Sequence, residues 1–294
     1  MFDASQPALA GTLYIVATPI GNLRDLSLHA LDVLKSADII AAEDTRTTQG
    51  LLNAYQIQAG KLTPLHDHNE AVAAVRLVEA LQAGKSVAYV SDAGTPGISD
   101  PGARLVNAVR AAGLPISPIA GPSAVATALS VAGIEGAWLF YGFLPAKPAA
   151  RRKALHTLLA RPEALVFYEA PHRIEETLAD LLAVFGGERH VLFARELTKK
   201  FEQLHVCPLA DAPAWLQADD HHRRGEFVLV LAAAAVQEDE QAHDFEARRI
   251  VQILLEELPL KQAAHLAARI TGTRKNALYD WALAQKQLNQ KQED

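Results

Sequence analysis

Three loops in the first half of the chain carry residues whose types and spacing could do chemistry. They read ATPIGN at 17–22, SDAGTPG at 91–97 and AGPSA at 120–124. Each loop combines glycine and proline with a hydroxyl-bearing side chain, and glycine lets a ligand approach the main chain closely. A tight connection between a strand and a helix would use the same residues. The recurrence of the pattern favours a ligand site with open main chain at Gly21, Gly94, Gly97 and Gly121.

Apolar runs and amphipathic segments alternate around these loops. The runs LYIVA, ADIIAA, SVAYV and LPISPI predict strands, and the segments between them predict helices. Ser27 is placed to cap one helix and Gly84 to end another. The alternation is typical of an α/β fold with a parallel sheet. In such a sheet the loops at the carboxyl ends of the strands share one edge, where ligands bind.

The composition of the loops predicts the kind of ligand. The phosphate-binding patterns GxxxxGK[ST] and GxGxxG are absent, and no loop brings a lysine or arginine to neutralise a polyphosphate. The loops instead offer Asp92, Asp100, prolines and backbone carbonyls. This set favours a neutral or cationic ligand, such as a sulfonium that carries adenosine and an amino acid.

The overall composition excludes some classes of protein. The chain has 294 residues and a net charge of −6, so any contact with RNA needs a local basic patch. Cys207 is the only cysteine, which excludes an intrachain disulfide and predicts a reducing, cytoplasmic location. The longest apolar stretch is broken by three glycines and Glu135, so we predict buried core and no membrane span. The histidines show no HExxH pattern, and no metal site is predicted.

The second half of the chain predicts a further α/β domain and a helical end. The runs GAWLFYGF, ALVFYEAP and GEFVLVLAA predict strands, and the last fifty or so residues are helical by pattern, with a short turn containing Gly272 that is typical of a helix-turn-helix. The predicted organisation is a flexible tail over 1–10, an N-terminal α/β domain over 11–122, a C-terminal α/β domain over 123–236 and a helical domain over 240–294.

Several phrases spread along the chain carry a resemblance to a known family. They are GTLYIVATPIGNLRDLS, DIIAAEDTR, VAYVSDAGTPGISDPG, IAGPSA, FYGFLP, YEAPHRI, ARELTKKFE and GEFVLV, and they lie within residues 11–232. With them the chain resembles the tetrapyrrole methylase superfamily. Within it, the chain is most similar to the bacterial enzymes that methylate the 2′-oxygen of a cytidine ribose in the decoding centre of small-subunit ribosomal RNA. The C-terminal segments LKQAAHLAARITG and KNALYDWAL are similar to the same enzymes.

The resemblance implies a two-domain α/β methyltransferase with a small helix-turn-helix-like domain at its C-terminus. It implies that S-adenosylmethionine (SAM) lies folded in the cleft between the two α/β domains, and that the enzyme is a homodimer. Glu169 stands where small-molecule relatives often have an apolar residue, which leaves the role of its side chain open. The cofactor-binding residues implied are Pro19, Gly21, Asp92, Ala93, Gly94, Thr95, Pro96, Ser123, Ala124, Tyr168, Glu169, Ala170 and Phe227.

Methyl transfer to a ribose hydroxyl needs alignment of the hydroxyl behind the methyl group and a place for its proton. The sequence EDTR at 43–46 follows the second predicted strand and faces the same edge. Glu43 or Asp44 could accept the proton, and Arg46 could hold a phosphate. The alternative is that Asp44 or Thr45 caps the following helix.

Other charged segments give further candidates. Lys199 in LTKKFE could be a base if its pKa is lowered, or it could be an ion-paired residue at a strand end. The sequence HDHNE at 66–70 could also point into the cleft, although Asn69 is a good cap for the next helix. Arg173 could reach a phosphate, or could pair with Glu176 on the same helix.

Two basic segments are candidates for RNA contact. Lys147, Arg151, Arg152 and Lys153 lie together and could follow a phosphate backbone, or could be the solvated start of a helix. Arg274 and Lys275 open the last predicted helix, where helix-turn-helix proteins place nucleic-acid contacts. A helix-turn-helix can also be a plain packing unit.

Two other functions share these features. A SAM-dependent methylase of a tetrapyrrole-like small molecule would have the same loops but would not need the basic segments or the C-terminal helices. A non-catalytic regulator that senses SAM and binds nucleic acid would use both halves but would not transfer a methyl group.

Overall fold

The computed structural model describes residues 5–234 and 240–290. The chain forms two compact units, one that extends to Ala233 and one that begins at Ala234. Within the described residues, none of the helices combines the length and the apolar character that crossing a membrane requires.

The first unit begins with a parallel sheet, as the sequence predicted, and this sheet has five strands. Its strands lie in the order β3-β2-β4-β1-β5, so that β4 occupies the centre between β2 and β1. The strands are β1 (Leu13–Val16), β2 (Ile39–Ala42), β3 (Leu62–Pro64), β4 (Val87–Val90) and β5 (Ile116–Ile119), and the helices are α1 (Leu28–Ser36), α2 (Thr45–Ala54), α3 (Glu70–Gln82), α4 (Ala103–Ala111) and α5 (Ala124–Ala132).

Local signals explain where these elements begin and end. The Ser27 hydroxyl accepts a hydrogen bond from the Ala30 N–H at 3.1 Å, which confirms the predicted cap of α1. Gly84 follows α3 with a φ of +79°, a conformation that favours glycine. The short edge strand β3 was not predicted, because its three residues end in proline and form no apolar run.

The side chain of Asn69 does not cap α3 as predicted, and the side chain of Glu70 caps a different helix. Asn69 precedes α3 but makes no capping hydrogen bond there; its side chain accepts from the His66 N–H at 2.9 Å and donates to the Pro64 carbonyl at 3.1 Å. The predicted cap is therefore wrong. The neighbouring Glu70 side chain is buried and caps a different helix, α4, by accepting hydrogen bonds of 2.8–3.2 Å from the backbone N–H groups of Gly102, Arg104 and Leu105.

The second sheet of this unit is mixed. Its strands lie in the order β6-β7-β10-β8-β9; β6 and β7 are parallel, and the other neighbours are antiparallel. The strands are β6 (Trp138–Phe143), β7 (Ala164–Glu169), β8 (His190–Arg195), β9 (Gln203–Pro208) and β10 (Phe227–Leu231), with helices α6 (Pro148–Leu158), α7 (Ile174–Phe185) and α8 (Ala212–Ala218).

Helix α5 connects the two sheets. It follows the last strand of the first sheet, yet Val125 and Ala128 pack in one cluster with Val166, Ala194 and Val228 of the second sheet. The opposite face of the second sheet packs against α6, α7 and α8 through a core that includes Leu155, Leu178, Phe167, Phe193 and Leu216. The carboxyl edge of the first sheet therefore lies beside one end of the second.

The chain before β1 is bound to α1. The Gln6 N–H donates to Asp32 at 2.9 Å and the Ala8 N–H donates to the Ser36 hydroxyl at 2.7 Å. These bonds contradict a loose tail for this part of the predicted segment 1–10, whose first four residues lie outside the described ranges.

The second unit consists of the helices α9 (Glu240–Leu255), α10 (Leu260–Thr271) and α11 (Lys275–Gln290). Small side chains form much of its core, including Ala247, Ala264, Ala267 and Ala282, together with Leu278. Gly272 ends α10 with a φ of +77°, and its N–H donates to the Ala268 carbonyl at 2.9 Å. The predicted turn between α10 and α11 is confirmed.

Candidate active site

A cleft of about 430 Å³ lies where the carboxyl edge of the first sheet meets the second sheet. The loops after β1, β2 and β4 and the start of α5 form one wall, and the ends of β6 and β7, the residues after β8 and the start of β10 form the other. Of the predicted cofactor residues, the cleft is lined by Asp92, Ala93, Gly94, Thr95, Ser123, Ala124, Tyr168, Glu169, Ala170 and Phe227.

Hydrogen bonds join the three loops that were predicted to form a ligand site, at 17–22, 91–97 and 120–124. The Thr18 N–H donates to the Gly94 carbonyl at 2.8 Å, and the Gly94 N–H donates to the Thr18 carbonyl at 3.0 Å. The Thr95 hydroxyl donates to the Pro122 carbonyl at 2.9 Å. The loops after β1, β4 and β5 thus form one continuous rim, as the parallel sheet predicted.

At two of the glycines in this rim, neighbouring residues of the protein fill the space that a side chain would need. A Cβ at Gly21 would lie 2.4 Å from Lys199 Cγ, and a Cβ at Gly121 would lie 2.9 Å from the Ala17 Cβ. The space on the Cβ side of both glycines is filled by neighbouring residues, so packing within the protein itself requires glycine there. The role of Gly21 in cofactor binding remains a prediction. Pro19 and Gly21 instead line an adjoining cavity of about 260 Å³, beside α2, which shares Asp92 with the cleft. Pro96 is buried.

An aromatic group forms part of the wall from the second sheet. The Tyr168 ring packs edge-on against Phe140 and Phe143, with ring centres 4.8 and 5.5 Å apart. The Tyr168 hydroxyl accepts a hydrogen bond from the Val125 N–H at 3.2 Å, at the first turn of α5. This bond connects the two walls of the cleft.

The Glu169 side chain has a structural role that the sequence left open. It is fully buried; one oxygen accepts from the Thr177 hydroxyl at 2.6 Å, and the other accepts from the Ala170 N–H at 2.8 Å. Arg173 Nε lies 3.3 Å from that carboxylate, and Arg173 also donates to the Leu144 carbonyl at 2.6 Å. Arg173 therefore pairs with Glu169, and the predicted pairing with Glu176 is wrong.

Asp44 caps a helix, as the alternative interpretation of EDTR held. Its carboxylate accepts from the Arg46 backbone N–H at 2.7 Å and pairs with the Arg46 guanidinium at 2.6 Å. These hydrogen bonds hold the pKa of Asp44 well below its ordinary value, so it is a poor proton acceptor. Asp44 as a base is therefore a wrong prediction. Arg46, at 90% exposure, remains on the surface.

Glu43 lines the cleft and is tied to Asp92. The Asp92 N–H donates to Glu43 at 3.3 Å, and the Asp44 N–H donates to Asp92 at 3.1 Å, so the two carboxylates connect the loops after β2 and β4. Burial raises the pKa of both carboxyl groups above their ordinary values, and neighbouring acidic charges add to this effect. This acidic wall suits a cationic group.

Lys199 lies in the cleft as an ion-paired residue. Its ammonium group is 2.9 Å from Glu196 and 2.7 Å from Glu226. Burial acts to lower the pKa of Lys199, but the hydrogen bonds to Glu226 and Glu196 outweigh it, so the pKa is raised. Lys199 therefore stays charged, and the prediction of a base with a lowered pKa is wrong.

Arg151 does not reach the surface. Its side chain is 1% exposed and pairs with Asp180 at 2.6 Å and Glu176 at 3.1 Å. It shares the inner face of α6 with Leu155 and Leu158, a spacing that the sequence could have revealed. Its assignment to RNA contact is wrong. Its neighbour Arg152 is half exposed and also pairs with Asp180, at 3.0 Å.

The other predicted RNA contacts lie on the surface of their units. Lys147 and Lys153 are exposed at the start and middle of α6, and Arg274 and Lys275 are exposed at the start of α11. Sequence reasoning did not single out several residues that line the cleft, although each lies within a phrase that carries the resemblance. They are Ile20, Ile98, Ser99, Phe143, His172 and Glu226.

Comparison with known proteins decides the family. The sequence model described as Tetrapyrrole (Corrin/Porphyrin) Methylases matches residues 12–213, and that of the RsmI C-terminal HTH domain matches 241–286. Ribosomal RNA small subunit methyltransferase I of Escherichia coli O157:H7 is 50% identical over 94% of this chain and 96% of that protein. The chain belongs to the ribosomal RNA small subunit methyltransferase I family of tetrapyrrole methylases. The Pseudomonas aeruginosa member of this family is 49% identical over 93% of this chain and 97% of that protein.

Solved structures of other tetrapyrrole methylases share the fold. Uroporphyrin-III C-methyltransferase from Thermus thermophilus, in complex with S-adenyl homocysteine, is 17% identical with a TM-score of 0.52, over 75% of this chain and 97% of that chain. Membership of the ribosomal RNA small subunit methyltransferase I family confirms the predicted fold class and the predicted cofactor, SAM. The roles of individual cleft residues remain predictions.

Proposed function

We propose that this chain transfers the methyl group of SAM to the 2′-oxygen of a cytidine ribose in the decoding region of small-subunit ribosomal RNA. The observation that carries the proposal is the similarity to ribosomal RNA methyltransferases over both units, at 50% identity across 94% of the chain. An enzyme that acted on a small tetrapyrrole would have no use for the helical unit. A ribosomal substrate also implies that the reaction takes place in the cytoplasm.

The residues of the cleft fit the cofactor and the reaction. SAM supplies an activated methyl group on a sulfonium, and the carboxylates of Glu43, Asp92 and Asp100 give the cleft the negative charge that a cation needs. The aromatic and aliphatic groups of Phe227, Val228 and Ile20 offer an apolar surface for an adenine ring. Holding cofactor and ribose in one orientation contributes several kcal/mol to lowering the barrier.

Exposed cations support the RNA part of the proposal. We assign phosphate contacts to Lys147, Arg152 and Lys153 on α6, and to Arg274 and Lys275 at the start of α11. These residues provide local positive charge in a chain whose net charge is −6.

We further propose that a second copy of the chain covers one face of the second sheet. On the face that α5 covers only in part, the apolar side chains Trp138, Leu204 and Val206 are 49%, 45% and 57% exposed. The latter two lie on the edge strand β9, and exposed apolar edges favour association. Sedimentation equilibrium should give twice the monomer mass of 31.7 kDa, and Val206→Glu should give the monomer mass. A monomeric wild type would contradict this arrangement.

The test of function is methyl transfer from tritiated SAM to small ribosomal subunits that lack the modification, followed by nuclease mapping. Label on one cytidine ribose is expected. Tight SAM binding without transfer to subunits or RNA would contradict the proposal and favour a sensor. Transfer to a tetrapyrrole alone would favour the small-molecule methylase.

Two substitutions should separate cofactor binding from RNA binding. Asp92→Ala removes a hydrogen-bonded carboxylate from the cleft, and we expect the Kd for SAM to rise about tenfold or more. Arg274→Ala should leave that Kd unchanged. It should weaken RNA binding and reduce the slope of the logarithm of the binding constant against the logarithm of the salt concentration by about one. Arg269→Ala, an exposed arginine on α10, is the matched control. Calorimetry that gave a normal Kd for SAM in Asp92→Ala would remove Asp92 from the cofactor site.

A further inference from the structure

The loop that connects β8 and β9, at residues 196–202, reaches from the second sheet to the cleft. Its middle residue, Lys199, lines the cleft. A Cβ at Gly21, in the loop after β1, would lie 2.4 Å from Lys199 Cγ and 3.2 Å from the Leu197 carbonyl oxygen, so the β8–β9 loop packs closely against the loop after β1. The β8–β9 loop therefore borders the cleft on this side.

The backbone of the β8–β9 loop is held in a strained conformation. In the described ranges, four non-glycine residues have a positive φ, and two of them, Glu196 at +51° and Thr198 at +64°, lie in this loop. The Thr198 N–H donates to the Glu202 carboxylate at 2.6 Å, and the buried Arg195 side chain donates to the Phe201 carbonyl at 3.3 Å. Strained backbone persists where the surrounding structure imposes it, and it clusters at active sites and ligand clamps.

The side chain that this loop presents to solvent is aromatic. Phe201 is 64% exposed and follows the cleft-lining Lys199 by two residues. Two residues span at most about 7 Å, so Phe201 lies beside the cleft, at its mouth. An exposed ring contributes little to the burial that drives folding. Stability therefore does not explain why the strained loop holds an aromatic side chain in this place.

Lys200 adds a positive charge to this ring. Its side chain is exposed, and its ammonium nitrogen lies 5.4 Å from the centre of the Phe201 ring, within the range of a cation–π contact. The ammonium group of the neighbouring Lys199 is instead paired with Glu196 and Glu226. An exposed ring beside an exposed cation suits single-stranded RNA, because the ring stacks on a base and the cation attracts a phosphate.

We propose that Phe201 stacks on a base of the substrate RNA next to the nucleotide whose ribose is methylated, with Lys200 beside a phosphate. This role rests on the proposed function, and it makes Phe201 a binding residue outside the cleft that takes no part in methyl transfer. When the target ribose enters the cleft, the adjacent nucleotide lies at the mouth, where the ring is. Stacking there fixes the direction in which the RNA strand leaves the cleft.

The charge of the loop favours RNA over a second copy of the chain as the occupant of this surface. Leu204 and Val206, which we assign to the interface between copies, are aliphatic residues within β9. Phe201 precedes that strand and has Lys200 over its ring. Burying an ammonium group in a protein interface is costly without an opposite charge, whereas the phosphates of RNA supply that charge.

The first test measures binding of the full-length protein to unmodified small ribosomal subunits. Phe201→Ala should raise the Kd for subunits about 5–150-fold, the loss expected for stacking on one base. The value of kcat/KM for subunits should fall by the same factor, while kcat at saturating subunits and the Kd for SAM should stay within about threefold of wild type. Because the ring is mostly exposed, the midpoint temperature of thermal unfolding should change by no more than about 2 °C.

Conservative variants separate stacking from the other roles of an apolar side chain. Phe201→Trp keeps an aromatic face and should bind subunits within about threefold of wild type, whereas Phe201→Leu should bind nearly as weakly as Phe201→Ala. Lys200→Ala should reduce the slope of the logarithm of the binding constant against the logarithm of the salt concentration by about one. The matched controls are Val75→Ala, at a residue of α3 that is 58% exposed, and Lys61→Ala, at an exposed lysine before β3; both should behave as wild type.

A photocrosslink locates the contact. With p-benzoylphenylalanine in place of Phe201, irradiation of the complex with subunits should link the protein to RNA beside the methylated nucleotide. A crosslink only to a second copy of the chain, or equal binding by Phe201→Leu and Phe201→Trp, would overturn the proposal. If wild type methylates subunits and Phe201→Ala binds them as tightly, only this role fails. If wild type neither binds nor methylates subunits, the proposed function fails with it.

Discussion

Arg151→Ala should lower the free energy of unfolding by about 3–5 kcal/mol, the range measured when one partner of a buried ion pair is removed. The guanidinium is 1% exposed, and the Asp180 side chain that it pairs with at 2.6 Å is 9% exposed. Without Arg151, Asp180 keeps a half-exposed partner, Arg152, but loses the one that shares its burial. Urea unfolding followed by circular dichroism measures the change.

Arg152→Ala is the matched control for this prediction. The two arginines are neighbours and both pair with Asp180, but Arg152 is half exposed, so its loss should cost about 1 kcal/mol or less. Arg152→Ala should instead weaken RNA binding if α6 contacts phosphates. Equal stability losses in the two variants would contradict the buried position of Arg151. A weaker affinity for RNA in a fully folded Arg151→Ala would restore the original assignment.

Gly102→Ala should be the most damaging small substitution in the cleft wall. A Cβ at this position would lie 2.6 Å from the Tyr89 ring, and the φ of +126° is one that other residues rarely adopt. The Tyr89 ring is buried and its hydroxyl is bonded to Pro101, so it has little room to move. Backbone strain and overpacking together should cost about 2–5 kcal/mol. The midpoint temperature of thermal unfolding (Tm) and the rate of methyl transfer should both fall.

Gly113→Ala isolates the backbone contribution. Gly113 also has a positive φ, +69°, but no atom lies within 4 Å of an added Cβ. The expected loss is therefore the strain alone, about 1–2 kcal/mol, with methyl transfer unchanged. If Gly102→Ala were no worse than Gly113→Ala, the close packing against Tyr89 would not matter for stability.

The sequence predicted the rim of the cleft because topology alone determines it. Loops after parallel strands must share an edge, so the segments after β1, β4 and β5 had to meet. Side-chain direction was harder to predict. Arg151 and Arg152 look alike in sequence, and only the phase of α6 decides which of them is buried.

Partners on other elements explain why the roles of some cleft residues could not be predicted. Lys199 was a candidate base until the structure placed Glu226, far away in sequence, 2.7 Å from its ammonium group. Glu169 could not be assigned because its partner Thr177 lies on the next helix, facing back toward the strand end. Asp100 was predicted only as an acidic residue of the loops, because the hydrogen bonds that hold the residues after it come from Tyr89 and Glu70, on two other elements.

The hydrogen bond from the Val125 N–H to Tyr168 has a thermodynamic consequence for the cofactor. It joins the two walls of the cleft before any ligand enters, while the Thr95–Pro122 bond joins two loops of one wall. A preformed site spends little of the interaction energy on ordering its own loops, so more of it appears as affinity.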